Sequence, residues 1–471
     1  MELEFEKRQL KCLAPVLSEV RDLELTQEIR LGEDMPDIQK VYACWAQGVL
    51  RGKEWTGSEV TASGGVTVWA AYQAEGEDRA RLAQCWIPFQ MKWPVGDSAQ
   101  AAVALRVRQA DARSASARKI LVRVCLSGLA RVYAPKSFEI PAPENVPKGV
   151  ELLRQSYPLV LLKEAGEKTF PLEEPLDLSA GTVTGPALLR PEITDCRIQG
   201  NKLAIRGNVN LEVFLEGGTQ SKTYPIPFAQ FAELDGTYGD RAAALAELTT
   251  AGAEVEGGED PTAKLSLTLQ YRITDRENVE LTQDGYCLDK VFTNRYEQLP
   301  IPVILDQQTL NLKSQHTLDG SGECRVWEDF PRKVPGSDGA WQQRYTGQSW
   351  GGQAERWEEN FTWNTAGNGD ALPEALRVAV KPVGEESLAE TEERIVMTAW
   401  SDAGLSVLSA MELGENREET GQKPSLILRR PGENTLWEIA RDCGSTVERI
   451  RQANGLEGEP EPNRMLLIPV V

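Results

Sequence analysis

The carboxy-terminal segment 424–471 constrains the fold most strongly, because signals for a strand, two helices and a second strand follow one another within it. Two S/T-x-x-E patterns are typical of capping boxes and so mark the starts of two short helices. Leucine and isoleucine alternate with other residues before the first helix and after the second, which indicates half-buried strands. The segment therefore predicts a small βααβ domain. The boxes are Thr435 with Glu438 and Ser445 with Glu448, and the strand residues are Leu426, Leu428, Leu466 and Ile468.

Helical spacing places a few apolar side chains on one face of each short helix, where they can form a core. Trp437 lies beside the face of the first helix, and we expect its ring to pack over this small core. The apolar residues are Leu436, Ile439 and Ala440 in the first helix and Val447 and Ile450 in the second.

This order of motifs resembles the LysM domain, whose usual pattern is G-D-T-L-W-x-I-A, a second short helix, N-x-L and a final L-x-I-P. The resemblance implies a groove for N-acetylated sugars with two facing loops at its mouth. Here the first loop has one additional residue, which alters the groove, and we expect the domain to bind a protein partner there. The candidate partner- or glycan-binding residues are Glu433, Asn434 and Thr435 in the first loop and Asn454, Gly455 and Leu456 in the second.

The rest of the chain is rich in period-2 alternation, which is typical of antiparallel strands with one buried face. A glycine seven residues before an aromatic residue recurs at intervals of roughly 130 residues, which suits tandem β domains. The three copies begin at Gly65, Gly207 and Gly320 and reach Tyr72, Phe214 and Trp327. We predict a mainly β protein of tandem antiparallel sandwich or barrel domains followed by the βααβ domain.

The first copy resembles the SPOCS domain of spore-coat proteins, through Met35-Pro-Asp-Ile38, the strand from Gly65 to Tyr72, and Ile87-Pro-Phe89. Tandem SPOCS-like domains before one LysM domain resemble the SipL-like spore-coat morphogenetic proteins. That family implies a mother-cell cytoplasmic location at the forespore surface. It also implies that the LysM domain binds the coat morphogenetic ATPase, alongside other coat proteins.

The expected organisation has five parts. SPOCS-like β domains are expected at residues 1–145 and 146–275, and a third, divergent β domain at 276–411. A linker at 412–423 and the LysM domain at 424–471 follow. The linker is assigned because Glu412 to Pro424 is polar and charged, as flexible connections are.

Composition excludes several classes of partner. A net charge of −20 without a basic run argues against nucleic-acid binding, which needs lysine and arginine to neutralise phosphates. No apolar run is long enough to span a membrane, so we expect no direct membrane insertion. The amino terminus has charges where a secretory signal needs apolar residues, so export is not expected.

The sequence offers little chemistry for catalysis. His316 is the single histidine, and a lone histidine is more often a hydrogen-bonded surface residue than a catalyst. Adjacent carboxylates such as Glu358-Glu359 and Glu392-Glu393 would point to opposite faces of a strand. We therefore expect no enzymatic activity, no catalytic residue, no metal site and no cofactor. Tryptophans 341, 350, 357 and 363 could form an interaction patch or pack against the third domain.

Three functions follow from these patterns. The first is a non-enzymatic spore-coat assembly adaptor. The second is a cell-wall protein that binds peptidoglycan or another N-acetylglucosamine-containing glycan. The third, a LysM-targeted hydrolase, lacks a visible catalytic constellation.

Overall fold

The computed structural model describes most of the chain. The described residues are 2–77, 80–96, 100–177, 183–215, 221–256, 261–318, 323–337, 339–350, 355–365, 368–383, 386–417 and 424–470. The residues outside these ranges include Gly320 of the third copy, parts of the tryptophan-rich stretch, and residues 418–423 of the expected linker.

The described residues form antiparallel strands almost throughout and two short helices near the carboxyl end. The elements are β1 (Phe5–Arg30), β2 (Ile38–Trp55), β3 (Glu59–Ala74), β4 (Ala80–Pro94), β5 (Gln100–Ser116), β6 (Lys119–Pro143), β7 (Val150–Pro175), β8 (Val183–Leu215), β9 (Ser221–Tyr238), β10 (Ala243–Glu256), β11 (Thr262–Cys287), β12 (Lys290–Leu318), β13 (Glu323–Glu328), β14 (Arg332–Lys333), β15 (Ala340–Trp350), β16 (Arg356–Asn364), β17 (Asn368–Val383), β18 (Glu386–Asn416), β19 (Leu426–Arg429), α1 (Leu436–Cys443), α2 (Val447–Asn454) and β20 (Leu466–Pro469). The prediction of a mainly β protein is confirmed.

Three long antiparallel pairs organise the body of the protein: β1 with β6, β7 with β11, and β12 with β18. In each pair the earlier strand opens a unit and the later strand closes it. We call these the first, second and third units, and they span residues 5–143, 150–287 and 290–416. The expected boundaries at 275/276 and 411/412 fall inside β11 and β18, because those closing strands continue beyond the alternating segments visible in the sequence.

The units are joined by shared sheets and cores. A six-stranded sheet in the order β10-β11-β7-β1-β6-β5 includes strands of the first and second units. In the first unit, β2-β3-β4 packs against this sheet and buries aromatic residues such as Trp93 and Tyr72. A further cluster, which includes Leu161, Ile301 and Val407, joins strands of all three units. Sheet-on-sheet packing of this kind gives each alternating strand its buried face.

A strand glycine covered by an aromatic ring of the neighbouring strand recurs in every unit. A Cβ added at Gly65 would lie 2.1 Å from the Trp86 ring, and one added at Gly347 would lie 2.0 Å from the Trp357 ring. At Gly207 the added atom would lie 2.7 Å from the Phe228 ring. An aromatic ring covering a strand glycine is a known way to stabilise such a site. In the third unit this glycine is Gly347 in β15, while the expected strand from Gly320 to Trp327 is described from Glu323 onward, as β13.

Replacing Gly207 with alanine should lower the free energy of unfolding by about 1–3 kcal/mol. The added methyl group would lie 2.0 Å from the backbone oxygen of Glu192, which cannot move without disturbing β8. Thermal or urea unfolding measures the loss. Gly404→Ala is the matched control, since Gly404 is also a strand glycine but has no atom within 4 Å of the added Cβ. Equal stability of the two variants would contradict the role assigned to Gly207.

Candidate functional site

The carboxy-terminal unit is a βααβ domain, as predicted. Strands β19 and β20 pair antiparallel, with Leu426 opposite Pro469 and Arg429 opposite Leu466. The two helices lie between these strands in the chain and cover the inner face of the pair. The fully buried core consists of Leu436, Ile439, Ala440, Ile450, Leu466 and Ile468.

Helix α1 begins as the sequence predicted. Thr435 accepts a hydrogen bond from the backbone N–H of Glu438, and the Glu438 side chain accepts one from the backbone N–H of Thr435. Because this carboxylate receives backbone and side-chain hydrogen bonds from Thr435, the pKa of Glu438 lies below its ordinary value. The first helix is thus fixed by a complete capping box.

Helix α2 is capped differently from the prediction. Thr446 is the N-cap and accepts a hydrogen bond from the backbone N–H of Arg449. Ser445 is buried, and its hydroxyl donates to the backbone oxygen of Pro469. Serine and threonine both suit an N-cap. Ser445 instead bonds to Pro469 of β20, and the next residue, Thr446, is the cap.

The first of the two expected groove loops is bonded at both of its ends to the segment 459–462, which follows the second loop. The backbone N–H of Gly432 donates to the oxygen of Pro462 over 3.1 Å. The backbone N–H of Leu436, at the start of α1, donates to Glu459 Oε2 over 2.8 Å. A carboxylate in this position is favoured by the helix dipole. Two donors that could have faced a ligand are therefore used within the domain.

The first candidate loop combines structural and exposed residues. Thr435 caps α1, so its side chain is committed to the fold. Glu433 is exposed and Asn434 is half-buried, with the backbone N–H of Asn434 donating to Pro431 in the turn. Neither Glu433 nor Asn434 caps the helix, and Glu433 is the more exposed of the two.

The second candidate loop is mainly structural. The Asn454 side chain donates to the Leu467 oxygen over 2.6 Å and accepts from the Leu467 N–H over 2.8 Å, which ties α2 to β20. Gly455 caps the helix in the left-handed conformation, with φ of 61°. Leu456 packs against the domain core. The residues of this loop thus make structural contacts within the LysM domain, and their part in binding stays a prediction.

Comparison with protein families decides what this unit is. Residues 430–469 match the LysM domain. The match covers the capped helices, both loops and β20, and LysM domains commonly bind N-acetylated glycans. Comparison of the whole chain with curated proteins and with solved structures gives no match.

The LysM domain is held on the body of the protein by Asp284 of β11. Its Oδ2 accepts hydrogen bonds from Trp437 Nε1 over 2.8 Å and from Arg441 over 2.9 Å, both on α1. Its Oδ1 accepts from the Tyr296 hydroxyl over 2.6 Å, from the Asn294 amide, and from a backbone N–H. One carboxylate of the second unit thus joins the LysM domain to β12 of the third.

Apolar contacts reinforce this attachment. The Tyr286 ring is buried and meets the Trp437 ring edge-on, with 4.7 Å between their centroids. Its hydroxyl donates to the Ser445 oxygen over 2.9 Å. Leu288 and Phe292 of the body also pack against the LysM core. Trp437 therefore packs on the LysM core, as expected, and is in addition part of the junction with the body.

The expected linker does not begin at residue 412. Strand β18 continues to Asn416, Glu412 forms an ion pair with Arg295, and the Arg417 N–H donates to the Asp289 oxygen. Residues 412–417 of the expected linker are mostly exposed, which accounts for their polar composition.

Asp284 is ionised at neutral pH in spite of its partial burial. Burial tends to raise the pKa of this carboxyl group, but hydrogen bonds from Tyr296, Trp437 and the Gly285 N–H, together with the charge of Arg441, outweigh burial and lower its pKa below the ordinary value. A charged, multiply bonded carboxylate is the form that attracts Arg441.

An exposed apolar surface lies on the outer side of the LysM strands. Leu428 is 64% exposed and lies directly opposite Leu467, which is 36% exposed. Leu426 and Met465 are exposed beside them. We call these four residues the hairpin patch. Exposed apolar side chains that lie together are typical of interaction surfaces.

The residues considered for catalysis have other roles. His316 stacks on Trp357, and its Nε2 lies 3.2 Å from Glu355 Oε1. Glu392 is exposed and pairs with Lys313, whereas Glu393 is fully buried and pairs with Arg106 over 2.9 Å, as opposite strand faces require. Trp341 packs in a core cluster with Trp363 beside it.

Within the described part of the chain, no group of three or more metal-ligating side chains is assembled and no helix is long and apolar enough to cross a membrane.

Proposed function

We propose that this protein is a non-enzymatic assembly adaptor in which the LysM domain is a recognition module held on a β scaffold. The observation that carries the proposal is the contrast between the two accessible surfaces of the LysM domain. The ends of the first groove loop are bonded to the segment 459–462, whereas the hairpin patch exposes four apolar side chains. A surface of this kind favours a protein partner.

The resemblance to SipL-like proteins supports a more specific form of the proposal. In it, the protein acts in the mother-cell cytoplasm at the forespore surface. The LysM domain binds the coat morphogenetic ATPase, while the SPOCS-like units engage other coat proteins. The acidic charge of the chain suits protein partners better than anionic nucleic acid or membrane surfaces.

The second candidate function is binding of peptidoglycan or another N-acetylated glycan. It is favoured by the match of residues 430–469 to the LysM domain and by the exposure of Glu433 beside the half-buried Asn434. Glycan binding would require the bridges from Gly432 to Pro462 and from Leu436 to Glu459 to rearrange or to remain beside the sugar.

Replacing Leu428 and Leu467 together with lysine should weaken binding to the purified coat morphogenetic ATPase by about tenfold or more, because apolar contacts at the centre of an interface carry most of its energy. Both side chains are exposed, so the melting temperature should not fall. Titration calorimetry or surface plasmon resonance measures the affinity. Leu305→Lys is the matched control, since Leu305 is 62% exposed but lies on β12 of the body.

A pull-down with insoluble peptidoglycan and chitin separates the two functions. The adaptor proposal predicts that neither polymer retains the protein. Retention that is lost in a Glu433→Ala, Asn434→Ala variant would support the glycan-binding function. Unchanged ATPase binding by the Leu428→Lys, Leu467→Lys variant would remove the hairpin patch from the proposal.

A further inference from the structure

A charge cluster is largely buried where the first and third units meet. Arg106 of β5 reaches from the first unit to Glu393 of β18 over 2.9 Å and to Glu328 of β13 over 3.4 Å. The Glu393 side chain is 0% exposed, that of Arg106 is 11% exposed and that of Glu328 is 23% exposed. We infer that this cluster is a pH-sensitive joint, in which Glu393 gains a proton as the pH falls and the two units then hold each other more strongly.

The charge count of the cluster is the first observation. Within ion-pairing distance one guanidinium serves two carboxylates, so one negative charge is uncompensated at a mostly buried site. Such a charge is costly, and uptake of one proton removes it while Arg106 stays paired with Glu328. Among the described residues, the buried Oε2 of Glu328 has no hydrogen-bond partner, so the existing bonds do not satisfy both carboxylates.

The strands that pack around Glu393 supply no second cation to it. Gln343 of β15 donates to Glu393 Oε2 over 2.9 Å, and the Tyr345 hydroxyl on the same strand donates to the same oxygen. Both are neutral donors. The strands on either side of β18 place Leu312 and Leu376 opposite Glu393.

Other charged residues near the cluster have partners of their own or form no ion pair with it. Asp329 accepts a hydrogen bond from Arg332 over 2.9 Å, and Arg108 lies 3.6 Å from it. Arg325 of β13 acts on Glu328 through its charge, but among the described residues no ion pair joins the two. The cluster therefore keeps its excess of negative charge.

A second buried cluster shows the effect of an equal number of cations and carboxylates. Asp370 lies 2.6 Å from Arg272 and 3.6 Å from Arg131, and Glu247 also accepts hydrogen bonds from Arg131. Two guanidiniums thus serve two carboxylates. Burial tends to raise the pKa of Asp370, but the two arginines outweigh burial and lower that pKa below its ordinary value.

At Glu393 the balance is the opposite. Burial has the largest effect and raises the pKa of Glu393, the charge of Arg106 opposes burial, and the charge of Glu328 adds to it, which brings the pKa to about 7. The ordinary pKa of glutamate is about 4.3. The folded protein therefore binds more protons between these two values. It follows that the contribution of Glu393 to stability falls as the pH rises from about 4.3 to about 7 and stays low above that.

Infrared spectroscopy of the full chain tests the proton uptake, because a protonated carboxyl group and a carboxylate absorb at different frequencies. The unmodified protein should show a protonated-carboxyl band that disappears with a midpoint close to neutral pH, and Glu393→Gln should lack it. Glu392→Gln is the matched control and should keep the band, since Glu392 is half-exposed and paired with Lys313.

A second variant tests the same step if Glu393→Gln does not fold. Glu328→Gln removes the neighbouring negative charge, so the band should remain and its midpoint should move to lower pH by about one pH unit. An unchanged midpoint in this variant would overturn the charge count on which the inference rests.

Hydrogen exchange tests the effect on the junction. At about pH 8, amides of β5 and β13 should exchange about tenfold faster in the unmodified protein than in Glu393→Gln, whose neutral side chain stands in for the protonated acid. At about pH 5 the two proteins should exchange alike. The inference is overturned if Glu393→Gln keeps the neutral-pH band, if the unmodified protein lacks that band, or if the ratio of exchange rates is the same at both pH values.

Discussion

Replacing Asp284 with alanine should release the LysM domain from the body of the protein. The carboxylate is 15% exposed and accepts hydrogen bonds from Trp437 and Arg441 of α1 and from Tyr296 of β12. Its removal leaves the indole N–H and the guanidinium without their acceptor at a desolvated junction. The expected loss is about 2–5 kcal/mol of docking free energy, the range measured when one partner of a buried hydrogen-bonded charge pair is removed.

Hydrogen exchange measured by mass spectrometry would report this release. Amides in β11 near Tyr286 and in α1 should exchange faster in Asp284→Ala. Amides elsewhere in the three long strand pairs should keep their protection. Asp442→Ala is the matched control, because this α1 carboxylate lies 3.5 Å from Arg429 and is 45% exposed. Unchanged protection of β11 and α1 would show that the Tyr286 and Trp437 rings hold the junction alone.

The same junction should respond to acid. The pKa of Asp284 is lowered in the folded protein, so its contribution to stability is complete above the ordinary aspartate pKa of about 3.9 and is lost as the pH falls through the lowered value. Exchange in α1 should therefore rise at acidic pH in the unmodified protein. In Asp284→Ala, hydrogen exchange in α1 should depend less on pH.

Replacing Glu247 with leucine should destabilise the body by about 3–5 kcal/mol, because it leaves a buried arginine without its main partner. Arg131 is 2% exposed and donates to both carboxylate oxygens of Glu247. Asp370 lies 3.6 Å from Arg131 but already pairs with Arg272 over 2.6 Å, so it cannot substitute fully. Urea unfolding measures the change.

A double variant separates loss of the pair from loss of packing. Arg131→Met combined with Glu247→Leu should recover most of the lost stability, since replacing both members of a buried pair with apolar residues is often neutral. Glu139→Leu is the control at an exposed pair with Lys7, where a change of less than about 1 kcal/mol is expected. If the double variant is as unstable as Glu247→Leu, Arg131 makes another contact that the fold requires.

Local patterns determined much of this protein. Period-2 alternation predicted a mainly β chain, because each strand has one face against a core and one in solvent. The LysM domain was visible because its signals are short-range: a capping box at Thr435, apolar helix faces and two alternating strands. The glycines at 65 and 207 were also found, although the reason for them, a facing aromatic ring, is a contact across the sheet.

Tertiary structure alone decided how these parts fit together. Asp284-Gly285 has the composition of a turn, yet in the fold it lies in β11 at a register shift and holds the LysM domain. Residues 413–416 have the composition of a linker, yet they lie in β18, where Leu413 and Asn416 pair with β12. Trp437 and Arg131 bind partners that lie more than a hundred positions away in the sequence. Burial and charge pairing depend on which strands lie next to each other in the fold, and a local sequence pattern does not contain that information.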